Sequence, residues 1–291
     1  MAETSVDVSV IVAVRNGAAT LAQCIESVLR QEGCEVELII VDAMSDDGTQ
    51  EIIESYGDRV AIYIREPDRG IYDAWNKALA VTRGEWCAFL GADDYFLSES
   101  ALAALLGAAR EPGEPPVFVH GGLLRVGAVD EYVMHPDPSD ALSFLRSGHM
   151  LPHPGSLHSV TALRAIGGFD DSFRIAGDMH AVLRMLHHGS GRRADAVVTA
   201  MRVGGVSSMW SSQRERHRER WRILTAELGR FAALRPTLQP FLLERLGYLV
   251  EVALVGVCGR RRGASLVLAL RRRFGQAPKL HTMSNDAARA G

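Results

Sequence analysis

Over the first ninety residues, short apolar runs alternate with stretches in which apolar positions recur every three or four residues. The runs VDVSVIVAV, EVELIIVDA, RVAIYIRE and EWCAFLG read as strands. AATLAQCIESVLRQ, DGTQEIIESYG and YDAWNKALAVT read as the helices between them, the second closed by Gly57 and the third near Gly84. Short apolar strands separated by amphipathic helices predict an α/β fold with a mostly parallel sheet covered on both faces. A further helix, SESALAALLGAAR, starts at Ser98. After the Pro-rich break EPGEPP the pattern shortens to VFVHGGLLRV and EYVMHP, which predicts a small antiparallel portion. Then come a helix DALSFLRSG, the polar stretch LPHPGSLHS, a helix from Val160 to Ile166, the turn GGFDDSF and the helix AGDMHAVLRMLHHG. From about Gln213 the chain reads as helical and basic, and HTMSNDAARAG as a disordered tail. The expected division is therefore an α/β domain over 1–208, a helical basic appendage over 209–280 and a tail over 281–291.

Composition changes this picture little. The chain has 291 residues, 47% hydrophobic and 23% charged, as ordinary globular proteins do. A formal net charge of -3 gives no general attraction to nucleic acid. Arginine is nevertheless concentrated in the last third, in QRERHRERWR, at 260–262 and at 271–273. A solvated helix face is the common reading of such runs. Nucleic-acid binding is disfavoured, since only Trp210 and Trp221 lie nearby to stack on bases. A third reading is an amphipathic surface on anionic lipid, because LVLALRRRF and VALVGVCGRRR set apolar runs beside arginine clusters. FLLERLGYLVEVALVGVCG is broken by Glu244, Arg245 and Glu251, whereas a spanning helix needs roughly 20 mostly apolar residues. Cys24, Cys34, Cys87 and Cys258 have no metal-binding spacing, and the first strand begins without a basic leader, so a reducing, cytoplasmic setting is expected, with peripheral contact to the inner membrane face as the lipid reading adds.

In parallel sheets, ligands bind beyond the carboxyl ends of the strands. Asp42, Asp93, Asp94 and the turn Arg15-Asn16-Gly17 all fall there. That turn, in VAVRNGAAT, has neither the glycine pattern of a dinucleotide fold nor a phosphate-loop lysine. The adjacent pair Asp93-Asp94 leaves two readings. Either it caps the following helix, or it holds a divalent cation, magnesium or manganese, which prefers oxygen ligands and shares them with substrate phosphates.

From Val8 to about Leu106 the chain resembles the family 2 glycosyltransferases with the GT-A fold, through VSVIVAVRNGAATLAQCIESVLRQ, ELIIVDAMSDDGT and EPDRGIYDAWNKALAVTRGEWCAFLGADD. The resemblance continues through HPGSLHSVTALRAIGGFDDSFRIAGDMHAVLRML and fades after Gly204. The subtype is similar to bacterial transferases that decorate lipid-linked or cell-surface glycans. The resemblance implies a nucleotide-sugar donor, a glycan or lipid-linked acceptor, a divalent metal and inversion at the transferred sugar. It implies further that Asp94 ligates the metal, Asp93 lies near the ribose, and Asp42 and Ala13 line the nucleoside pocket. Asp68, Arg69, Asp73 and Asn76 would border the donor, Asp178 would be the catalytic base, and His153 and His158 would lie on the acceptor side. Two departures bear on the donor. Ala43 stands where many members place an acidic residue that reads uracil, and Gly91 replaces the first aspartate of an Asp-Ala-Asp-Asp motif.

Bland readings stand beside these. From spacing alone Asp178 is first an N-cap, and His153 and His158 are as readily surface residues as acceptor ligands. His187 and His188 suit a helix C-terminus, and Asp46 and Asp47 the start of the second helix. Two other functions use a similar sheet: a sugar-nucleotide pyrophosphorylase, which would carry a Gly-rich basic loop after the first strand, and a binding subunit without turnover.

Overall fold

A computed structural model describes residues 5–127, 132–134, 145–146, 151, 153–202, 213–229 and 232–233. The expected parallel half is present. Strands β1 (Val8–Val14), β2 (Val36–Asp42), β3 (Ile62–Arg65) and β4 (Trp86–Gly91) run parallel in the order β3-β2-β1-β4. Helices α1 (Leu21–Leu29), α2 (Thr49–Ser55) and α3 (Ile71–Val81) connect them, and a 3-10 turn over Gly57–Arg59 follows α2. β1 is apolar at nearly every position because both its faces are covered. Val8, Val10, Val12 and Val14 face α1, α2 and α4 (Ala101–Ala109), while Ile11 faces α3 and the helices that follow.

The sheet then continues past β4 in an order that the sequence pattern does not suggest. Next come β8 (Leu157–Ser159), β6 (Pro116–Val126), β9 (Ser190–Arg202) and β5 (Tyr95–Phe96), with β7 (Tyr132–Met134) pairing β6. β6 and β7 pair antiparallel, as expected of that portion, and β8 is antiparallel to both β4 and β6, but β6 and β9 are parallel. The stretch LPHPGSLHS, expected to be polar loop, contributes β8 at the centre of the sheet. Phe89 of β4 bridges Pro154, and the Gly155 N–H donates to the Phe89 carbonyl, so backbone pairing draws this segment inward.

Helices α5 (Val160–Ala165) and α6 (Gly177–Leu186) pack on the α3 face. α7 (Gln213–Leu228) joins the same core through Ile223 and Leu224. The described part of the segment expected as a separate appendage thus shares its core with the sheet. Most of the expected helix 140–148, the C-terminal arginine clusters, Cys258 and the tail 281–291 lie outside the described residues. Among the described residues Cys24, Cys34 and Cys87 are free, and no helix is long and apolar enough to cross a membrane.

Candidate active site

The carboxyl edge of the parallel strands is built in two rows. Ala13 stands level with Val41 and Gly91, and Val14 with Asp42, which is in turn level with Arg65. Asp93 and Asp94 follow directly on β4.

Asp94 is not the cap of the next helix. α4 begins at Ala101 with Ser100 as its N-cap, after the short strand β5, and Asp94 instead turns back to accept the Gly91 N–H at 3.2 Å. Its second oxygen is buried and has no hydrogen-bond partner among the described residues. Burial, and then the neighbouring charge of Asp93, push its carboxyl up to about 7, held back by the Gly91 N–H and Arg202. Gly91 has a local reason to be glycine: a Cβ there would lie 2.8 Å from an Asp93 oxygen and 2.9 Å from an Asp94 oxygen. An unpartnered carboxylate oxygen beside a second carboxylate fits a hard divalent cation. No cluster of three or more His, Cys, Asp or Glu suited to a metal occurs among the described residues, so the remaining ligands would come from bound phosphate and water.

Two residues expected on the donor side are turned inward. Asp42 is fully buried; it accepts from the Ser45 N–H at 2.9 Å and hydroxyl at 2.5 Å, from the Tyr63 hydroxyl at 3.2 Å, and pairs with Arg65 at 3.3 Å. Its work here is to fold the loop after β2 against β3. That loop in turn supports the Arg15-Asn16-Gly17 turn, since Ser45 accepts the Asn16 N–H and Thr49 the Gly17 N–H. The N-cap of α2 is Gly48 rather than Asp46 or Asp47, and Asp47, one residue earlier, accepts the Thr49 and Ala18 N–H groups and so ties the start of α2 to the turn after β1. Asn76 uses its amide on both the N–H (2.9 Å) and the carbonyl (2.8 Å) of Phe169, pinning the GGFDD turn to α3. By contrast Asp68, Arg69 and Asp73 stand together at the start of α3. Asp68 accepts the Gly70 N–H, and exposed Arg69 pairs with Asp73 at 2.8 Å and Asp171 at 2.5 Å.

On the other side, Asp178 is half-buried in the first turn of α6 and is not its N-cap, which is Ala176. It accepts the Met179 N–H at 2.8 Å, and the Tyr72 hydroxyl of α3 lies 3.5 Å away. Burial pushes its carboxyl up to about 6 against those two hydrogen bonds, with the Glu219 charge adding a smaller push upward. A small pocket is lined by Asp178, His153, Phe118, Leu151, Met179 and Val182 among others.

The surface reading of the two histidines is overturned. His153 is 7% and His158 0% exposed, because the pairing of this segment with β4 carries them into an aromatic cluster. His153 lies 4.8 Å from Trp75 and 4.8 Å from His158, and His158 is 5.3 Å from Phe89, between ring centres. Burial holds both imidazoles neutral, His158 down to about 4 and His153 well below the usual range. His153 shares the pocket with Asp178, while His158 stands behind it.

Three residues went unnoticed in the sequence. Arg202, at the end of β9, donates to the Asp93 carbonyl at 3.1 Å and also reaches Gln23, which sets a cation beside the acidic pair. No periodicity marks it. Tyr72 lies within the quoted motif IYDAWNKA, and its ring sits against Gly177, where a Cβ would come within 2.7 Å of it. Glu219, on α7, accepts the N–H groups of Arg174, Ile175 and Ala176.

Comparison with known proteins follows the same outline. The family model described as glycosyl transferase family 2 matches residues 9–135. An uncharacterized glycosyltransferase of Mycobacterium tuberculosis (strain CDC 1551 / Oshkosh) is 30% identical over 178 residues, covering 61% of this chain and 68% of that protein. A PGL/p-HBAD biosynthesis glycosyltransferase of Mycobacterium bovis (strain BCG / Pasteur 1173P2) is 36% identical over 120 residues, 40% of this chain. The match spans 46%, just under half, of that relative. Among solved structures, the mannosyltransferase PcManGT of Pyrobaculum calidifontis, in complex with GDP-Man and Mn2+, superposes with a TM-score of 0.57 at 20% identity, over 92% of this chain and 82% of that one. The fold is that of the GT-A glycosyltransferases.

Proposed function

Because this chain belongs to the family 2 glycosyltransferases, we propose that it moves a sugar from a nucleoside-diphosphate donor to a hydroxyl of a glycan or lipid-linked acceptor, with inversion at the anomeric carbon. The observation that carries the reading is the division of labour between two carboxylates. Asp94, just after β4, keeps a buried oxygen without a partner among the described residues, while Asp178, on α6, lines a pocket with its carboxyl pushed up to about 6.

In the proposed reaction the acceptor oxygen attacks the anomeric carbon as the bond from that carbon to the diphosphate breaks. Asp178 takes the hydroxyl proton. A base with a pKa just below the working pH is mostly ionised yet still basic enough to accept it. A divalent cation held by Asp94 would offset the charge that develops on the leaving diphosphate. Asp93 reaches toward the ribose, and Ala13 lines the base pocket. Asp68, Arg69 and Asp73 border the donor at the mouth of α3, and Arg202 adds positive charge beside the acidic pair. Asp42 and Asn76 serve the donor side through the loop and the turn they hold. His153 borders the acceptor as a neutral, apolar-facing ring, and His158 fixes its position. Ala43 removes one known means of reading uracil. The biosynthetic relative supports a role in building a glycoconjugate.

The test is turnover of nucleotide sugars with manganese, with and without a lipid-linked acceptor, for the native chain and Asp178→Asn. Release of nucleoside diphosphate by the native chain, reduced at least a hundredfold by Asp178→Asn with donor affinity kept, is the expected result. Turnover by Asp178→Asn at the native rate would show the base assignment to be wrong.

A further inference from the structure

The entry to α6, which carries Asp178, is gripped from outside by a carboxylate on another helix. Glu219 of α7 is buried, 4% exposed, and its two oxygens accept three successive backbone N–H groups, from Arg174 at 2.6 Å, Ile175 at 2.9 Å and Ala176 at 2.8 Å. Consecutive main-chain N–H groups converging on one point form a ready anion cradle, and hydrogen bonds to an ionised acceptor are about twice as strong as neutral ones. α6 has no side-chain cap, since Ala176 stands at that position, and Glu219 instead holds the N–H of Ala176 and of the two residues that lead into the helix. Along α7, Arg222 reaches the same segment. Its guanidinium lies 3.0 Å from the Ser172 hydroxyl, 3.4 Å from an Asp170 oxygen and 4.3 Å over the Phe173 ring. The chain from Asp170 to Ala176 is thereby tied to α7, and Asp178 follows two residues after the last tie.

We propose that Glu219 is a positioning residue for Asp178, fixing through the 174–176 backbone where the proton-accepting carboxylate stands over the pocket. The proposal rests on the reading of Asp178 as the base. Among the described residues, the charged and titratable groups that face Asp178 are the Tyr72 hydroxyl from α3, Glu219 from α7 and His153 across the pocket. Of these Glu219 brings a second negative charge, which adds to the upward push on the Asp178 carboxyl. A carboxylate that merely held the fold together would lower the amount of folded enzyme. It would not change the pH profile of the enzyme that remains.

The experiment compares the full chain with Glu219→Gln, Glu219→Asp and Asp178→Asn, measuring donor affinity, kcat from pH 5 to 8 and thermal unfolding. For Glu219→Gln we expect donor affinity within about twofold of native, kcat at least tenfold lower, and an acid limb moved to lower pH, because removing the charge favours ionised Asp178. Glu219→Asp, which keeps the charge, should recover part of kcat and keep the native acid limb. A folded Glu219→Gln with native kcat and native pH profile overturns the proposal. So does a kcat that falls only in step with donor affinity. Failure of both Glu219 variants to fold assigns the residue to the fold alone and also overturns it. If Asp178→Asn turns over at the native rate, the base assignment has failed, a result separable from the others because it appears with Glu219 intact.

Discussion

At the scale of single residues, the account turns on carboxylates kept where they are uncomfortable. Asp94 has its carboxyl pushed up to about 7 by burial and by Asp93. The folded state therefore holds that proton more tightly than the unfolded chain does. Its contribution to stability is fully present below about pH 4 and is lost as pH rises through about 7. In metal-free buffer Asp94→Asn should therefore stabilise the fold at pH 8 by an amount on the order of a few kcal/mol, seen as a higher melting temperature, with the gain shrinking toward pH 4; scanning calorimetry at the two pH values checks this. The same substitution should abolish metal-dependent donor binding, the exchange of stability for function expected at a binding site. Asp178 carries a separate pH signature. Below about 6 it is protonated and has no room for the acceptor's proton, so kcat should fall about tenfold for each further pH unit, and a pH-rate profile at saturating donor measures it.

At the scale of elements, the site depends on how α3 meets the turn and helix across from it. Gly177 touches the Tyr72 ring and has no space for a methyl group, so Gly177→Ala should cost about 1–3 kcal/mol in urea unfolding and displace the Tyr72 hydroxyl from Asp178. These contacts were only half legible in the sequence. The parallel strands β1 to β4 announce themselves because both faces are buried and the apolar runs are continuous. The Asp pair could be picked out because it ends a strand, whereas Asp178 stood out through the family resemblance, its place at a helix start suggesting only a cap. β9 could not, since SGRRADAVVTAMR mixes charge with apolar residues along a strand that is only partly covered. β8 was hidden for the opposite reason: its segment looks polar, yet pairing with β4 and β6 buries Leu157 and His158. Asn76 and Asp42 have polar side chains whose partners are backbone groups and side chains far along the chain, and no local pattern records such a partner.

At the scale of the whole molecule, α7 belongs to the core. Ile223 and Leu224 are buried with Phe173 and Met179, Glu219 grips the entry to α6, and Arg222 turns toward the acidic turn at 170–172. The arginines of QRERHRERWR therefore do not all form an outer basic face, and the division at 208 and 209 separates sequence composition more than it separates structure. A chain ending at 208 should lose cooperative unfolding or melt well below the full chain, as circular dichroism against temperature would show. The arginine clusters at 260–262 and 271–273 are the remaining candidates for contact with anionic lipid. If they make it, the full chain should sediment with phosphatidylserine vesicles in low salt and be released by high salt, because such attraction falls off within a Debye length. The central claim, that Asp94 holds a cation against the donor's diphosphate, is tested most directly by calorimetric titration of nucleoside diphosphates into the native chain and Asp94→Asn, with manganese and with chelator. The account expects at least one diphosphate to bind the native chain only when manganese is present, and to bind Asp94→Asn at least tenfold more weakly. Equal affinity in chelator, or in the variant, would contradict it.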